Sequence, residues 1–150
     1  MNRRDAGKAM LGGAAAMLAR PLLATQWIDS VVRGVQIGAQ SYSFRDRPLD
    51  ACIQAYVTVG LGECELSQGH VEPAEDSGDR EKLRKWRLNT PLSYFQDVRK
   101  KFDAAGVRLY AYNYSFRHDM TEAEMRRGFE MTKALGLRYI TASSNVSLAP

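Results

Sequence analysis

Few side chains in this sequence can move a proton or hold an ion, and the best of them stand just after a stretch that reads as a strand. Glu65 closes the run Leu61–Ser67, and His70 follows it in the next polar segment. A carboxylate and an imidazole at such a place are candidates for general acid or base work, and His70 is also the one possible metal ligand. The other histidine, His118, is followed by Asp119 and reads as a solvated or capping residue at a helix start. Arg45 and Arg117 are of a type that binds phosphate, but Asp46 and Asp119 stand close by, so local ion pairing accounts for them as well. The run Arg80–Arg87 sets five basic residues against Glu81 and reads as a solvated helix face.

These residues need elements to position them, and the hydrophobic pattern supplies an alternation of strand and helix. Val35–Tyr42 reads as the first strand and Pro48–Val59 as a helix, with Leu49, Cys52, Ile53, Tyr56 and Val57 recurring at offsets of three and four. The second strand, Leu61–Ser67, sends Cys64 and Leu66 one way and Glu63 and Glu65 the other. An unpaired carboxylate pointing inward is costly, so Glu65 is either a ligand contact or a group hydrogen-bonded or ion-paired inside the fold. Gln68–Asn89 is polar, with one charged turn or short helix over Asp79–Leu88. The next helix is expected to be capped by Thr90, to begin at Pro91, to bury Leu92, Phe95, Val98 and Phe102, and to stop at Gly106. Strand three is Val107–Asn113. Thr121 and Glu124 form a capping box for the last helix, which is lined by Met125, Phe129, Thr132 and Leu135. Leu137–Ala142 is strand four.

The resulting βαβαβαβ order argues for a parallel sheet with crossover helices. Two repeats reinforce it. Helices leave through Gly60-Leu61, Gly106-Val107 and Gly136-Leu137, and the tetrapeptide Tyr42-Ser43-Phe44-Arg45 recurs as Tyr114-Ser115-Phe116-Arg117 in the loop after strand three.

Of the net charge of +4, the first 24 residues carry +3 through Arg3, Arg4, Lys8 and Arg20 against Asp5. The remainder is nearly neutral and shows no basic stripe, which argues against a nucleic-acid partner. Paired arginines, Lys8 and the mildly apolar Ala9–Ala19 resemble a twin-arginine export signal over residues 1–24. That implies a periplasmic location, with the cytoplasm as the alternative, and a run too short for a stable membrane anchor. Residues 25–34 read as a connector. Cys52 and Cys64 fall at apolar positions and read as buried free thiols.

The segments Gly38-Ala39-Gln40-Ser41-Tyr42-Ser43-Phe44-Arg45-Asp46, Glu63-Cys64-Glu65-Leu66 with Gly69-His70, Thr90-Pro91-Leu92 and Tyr112-Asn113 together resemble the sugar phosphate isomerase/epimerase group of xylose-isomerase-like TIM barrels. The resemblance spans Val35 to Ala149. It implies that residues 35–150 are the N-terminal half, about (β/α)4, of a (β/α)8 barrel, since a whole barrel needs about 250 residues. It further implies a small sugar-like substrate at the strand ends, bound by Tyr42, Phe44, Glu65, His70, Asn113 and Phe116, although the aromatics can equally plug the barrel top. A divalent metal, Mn, Mg or Zn, is expected for the complete barrel, its ligands lying mostly on later strands, so this chain by itself is expected to lack catalysis. Two rivals remain: a non-catalytic carbohydrate-binding module on the same scaffold, and a flavodoxin-like domain, which lacks its phosphate loop here. Uncovered barrel edges imply self-association.

Overall fold

The computed structural model describes residues 26–76 and 78–143, so the export-signal reading of residues 1–24 lies outside the described residues. The described chain begins with a hairpin, β1 (Val31–Val32) and β2 (Val35–Gln36), turned through Arg33 and Gly34, both at positive φ. Sequence reasoning took residues 25–34 for a plain connector and Val35–Tyr42 for one strand. Instead, the apolar alternation of Val32 and Val35 is used in the hairpin, and parallel pairing starts only at β3 (Ala39–Gln40). Gly38 makes the entry possible, because a Cβ there would stand 2.5 Å from the Glu63 carbonyl oxygen. Ser41–Phe44 then tightens into a 3-10 turn. The segment before the hairpin is tied beneath the later strands: the Ile28 N–H donates to the Gly106 carbonyl at 2.8 Å, and the Gly62 N–H to Ser30 Oγ at 2.9 Å.

From β3 onward strand and helix alternate. The elements are α1 (Leu49–Val59), β4 (Glu63–Ser67), α2 (Arg80–Asn89), α3 (Leu92–Ala104), β5 (Arg108–Asn113), α4 (Glu122–Ala134) and β6 (Ile140–Thr141). All pairings in the larger sheet are parallel, and the strands lie in chain order, β3-β4-β5-β6. A flavodoxin-like sheet reverses its strand order at a switch point; this one has no reversal. The protein is therefore α/β, with a four-stranded parallel sheet and four helices among its described residues.

One cluster of buried residues joins Cys52, Ile53 and Tyr56 of α1, Phe95, Val98 and Phe102 of α3 and Met131 of α4 to Cys64, Leu66, Leu109 and Tyr112 of the strands. These three helices consequently cover the same face of the sheet. Each stops where expected: Gly60, Gly106 and Gly136 all take positive φ. Gly60 follows α1 directly, and its N–H returns to the Tyr56 carbonyl at 2.9 Å.

Three local expectations change. Thr90 does not cap α3; its hydroxyl donates to the Trp86 carbonyl at 2.7 Å and closes α2, leaving Pro91 as the first flanking residue of α3. Phe129, expected on the inner side of α4, is 60% exposed, and Gly128 takes the buried place against the Tyr114 ring. The charged segment is a full helix of 10 residues, capped by Asp79, whose carboxylate accepts from the N–H groups of Glu81 and Lys82. The capping box of Thr121 and Glu124 is present as read. Among the described residues no helix is long and apolar enough to cross a membrane.

Candidate functional site

Loops at the C-terminal ends of the strands enclose a cleft of about 320 Å³. It is lined by Tyr42 and Arg45 from the turn after β3, by Ser67, Gly69 and His70 at the end of β4, and by Asn113 at the end of β5. Three of the residues read as a substrate pocket thus meet there: Tyr42, His70 and Asn113. In a parallel α/β sheet this is the end at which side chains from several strands converge on one ligand.

Glu65 lies below this cleft, on the face opposite Cys64. Its Oε1 accepts from Gln40 Nε2 at 2.7 Å and from Thr141 Oγ1 at 2.5 Å. Thr141 Oγ1 in turn accepts from Asn113 Nδ2 at 3.2 Å. A polar chain, Gln40–Glu65–Thr141–Asn113, therefore crosses all four strands on the side away from the buried cluster. It answers the cost of an inward carboxylate by hydrogen bonding rather than by ion pairing. Neither Gln40 nor Thr141 stood out in the sequence, because the contact spans 76 residues and rests on which strands become neighbours.

His70 is held in a defined tautomer. Its Nε2 lies 3.3 Å from the Phe44 carbonyl oxygen, which can only accept, so Nε2 carries the proton. Nδ1 then accepts from Ser41 Oγ at 3.0 Å, while Ser41 Oγ accepts from the Ser67 N–H at 2.8 Å. Ser41 is fully buried and ties the β3 turn to the end of β4. With both ring nitrogens engaged, His70 can ligate a metal only by giving up the Ser41 bond. Among the described residues no group of three or more His, Cys, Asp or Glu side chains is placed to hold a metal ion. The sequence resemblance places most ligands of the expected divalent metal on later strands, so His70 is the one described residue it offers to that ion.

Phe44 and Phe116 do not line the cleft. Phe44 packs against Tyr56 at 5.2 Å between ring centroids, and Phe116 stacks on Phe129 at 5.7 Å and meets Tyr114 edge-on. The repeated tetrapeptide is out of phase in space: Tyr42 is 55% exposed at the cleft, whereas Tyr114 is fully buried. The arginines of the two copies differ likewise. Arg45 lies over the Tyr42 ring at 4.7 Å while Asp46 pairs with Arg47, and Arg117 Nε stands 3.6 Å from Asp119.

Beside the cleft lies an ion cluster that the sequence reading mistook for a solvated face. Arg80, Arg84 and Arg87 share one side of α2 and reach Glu72, Asp119 and Glu124. Arg87 is 1% exposed; it grips Glu72 through Nε and Nη2 at 2.7 and 2.9 Å and lies over the Tyr114 ring at 5.0 Å. Lys82 and Lys85 stay on the outer side, with Asp79 and Glu81 as partners. The recurrence of arginine at offsets of four and three was the available signal, and it marks a helix stripe as well as apolar residues do. Burial pushes the Glu124 carboxyl up, yet Arg84, the Thr121 N–H and Arg80 together hold it below its ordinary range. The Arg80 hydrogen bond does the same for Asp119.

Cys52 and Cys64 are buried free thiols, as read, and burial raises them to about 11 and about 12. Both are therefore protonated and unreactive near neutrality. His118 is exposed at the loop before α4. Comparison of the chain with protein-family models, with curated proteins and with solved structures found no match.

Proposed function

We propose that this chain forms the N-terminal strands of a xylose-isomerase-like barrel that isomerises or epimerises a sugar or sugar-derived polyol, and that its own residues bind the substrate. The observation that carries this reading is the strand-end cleft with Tyr42, His70 and Asn113 on its walls. Sequential parallel strand order and helices on one face support the barrel. Tyr42 offers an exposed ring for stacking on a sugar, and Asn113 an amide for a hydroxyl. Chemistry beside a carbonyl also needs a Lewis acid or a base within reach. Glu65 and His70 are engaged with Gln40, Thr141, Ser41 and Phe44, so they orient neighbours and substrate instead of shuttling a proton. A divalent metal would draw its ligands from strands beyond those described.

That same engagement favours a second reading, a carbohydrate-binding module without catalysis. Calorimetric titration of the chain with pentoses and pentitols, and assay of ketose–aldose interconversion with added Mn²⁺ or Mg²⁺, tests both. Saccharide binding without turnover is expected, weakened roughly tenfold by Asn113→Ala. Absence of any saccharide binding would remove both readings, and robust turnover by this chain would refute the binding-only role of its residues. Later strands bearing Glu, Asp and His in the gene beyond Pro150 would favour the enzyme over the module.

A further inference from the structure

On the sheet face turned away from the helices, Glu65 of β4 and Thr141 of β6 meet at 2.5 Å although β5 lies between them. Side chains stand roughly perpendicular to a sheet whose strands are about 4.8 Å apart. A contact across an intervening strand is therefore the mark of a sheet curled toward that face. Ala111, the register partner of Glu65 on β5, is fully buried, and its methyl group leaves room for the contact. Tyr110 shares the concave face, lining a hollow with Gln40, Glu63 and Glu65, and its ring is exposed together with that of Tyr139. In a closed parallel barrel of eight strands, inward side chains from alternate strands fill one layer, four to a layer. Glu65 and Thr141, from alternate strands, are half of such a layer. The sheet likewise has half of the strands. All four run the same way in chain order, and β3 and β6 have no further partner among the described residues.

We propose that two copies of this chain close head to tail into one eight-stranded barrel, the second copy standing where the remaining four strands belong. A half-turn about the barrel axis preserves strand direction, so β6 of each copy meets β3 of the other in the parallel sense both already use, and two such seams close the ring. Gln40 of β3 and Thr141 of β6, both bonded to Glu65 Oε1 within a copy, become neighbours across each seam. The half-layer of Glu65 and Thr141 is completed by its own repeat. Pairing of like edges is antiparallel and leaves two edges open, which a curled sheet does not favour. The strand-end cleft becomes one side of a shared mouth, its Tyr42, His70 and Asn113 faced across the axis by the same residues of the second copy. The inference rests on the barrel in the function proposed above and not on its substrate.

Sedimentation velocity of the chain is expected to show a two-chain species and nothing larger, since a ring leaves no edge. Ala39→Cys on β3 and Ile140→Cys on β6 report on the seam; both side chains pack toward the helices, outside the cleft. Cys52 and Cys64 are buried and stay silent toward a short bis-maleimide, which tolerates a small offset in register. A covalent dimer is expected when the two variants are co-expressed and with neither alone. Dimers from one variant alone would reveal like-edge pairing and overturn the barrel, as would no cross-link in the mixture. Sedimentation of the unmodified chain decides independently of how either variant folds: a clean monomer, or an open-ended series of larger assemblies, overturns the inference. A two-chain ring that binds no saccharide removes the function proposed above and leaves the ring standing; a monomer that binds one does the reverse.

Discussion

Glu124 shows how a single residue comes to hold several elements. It closes the capping box of α4, accepts from Arg84 Nε at 2.8 Å, and lies within 3.5 Å of Arg80 and Arg87, all while fully buried. Removing its charge strands arginines that were desolvated in its company. Glu124→Gln is therefore expected to cost on the order of 3 kcal/mol, read from urea unfolding at about pH 7. The pH dependence has a definite sign. Glu124 and Asp119 both titrate below their ordinary values of 4.5 and 3.8 in the folded chain. Their contribution is complete above those values and is lost as pH falls through the lower folded ones. Wild type should thus lose stability on that acid limb more steeply than Glu124→Gln; equal slopes would show that the cluster contributes no linkage.

At the scale of elements, α4 and the segment after β5 are packed through one glycine. A Cβ at Gly128 would stand 2.5 Å from two carbons of the Tyr114 ring. That ring has little room to yield: it is fully buried, its hydroxyl donates to the Glu124 carbonyl at 3.2 Å, and Arg87 lies across its face. Alanine is the better helix former by about 1 kcal/mol, whereas overpacking costs about 1–3 kcal/mol. Gly128→Ala should accordingly lower the thermal midpoint, and an unchanged or raised midpoint would mean that Tyr114 can move.

For the molecule as a whole, the sheet keeps one face covered and leaves two edges, β3 and β6, without a further strand among the described residues. Tyr110 and Tyr139, each 54% exposed and 5.3 Å apart between ring centroids, add exposed aromatic surface. Unpaired strand edges beside exposed rings are the usual route to pairing between copies. Analytical ultracentrifugation of the chain at micromolar concentration should show a dimer or larger species that Tyr110→Lys shifts toward monomer. A clean monomer in wild type would refute self-association. The amino-acid sequence by itself determined the alternation of strand and helix, the glycine exits after α1, α3 and α4, the Thr121–Glu124 box and the buried thiols. These follow from periodicity and local backbone chemistry, whose reach is a turn or two of chain. Only the tertiary structure decided that Thr141 anchors Glu65, that Arg80, Arg84 and Arg87 turn inward, and that Tyr42 is exposed while Tyr114 is buried. Such choices depend on which strands and loops become neighbours across dozens of residues, and a buried charge is stable only once its distant partner has arrived.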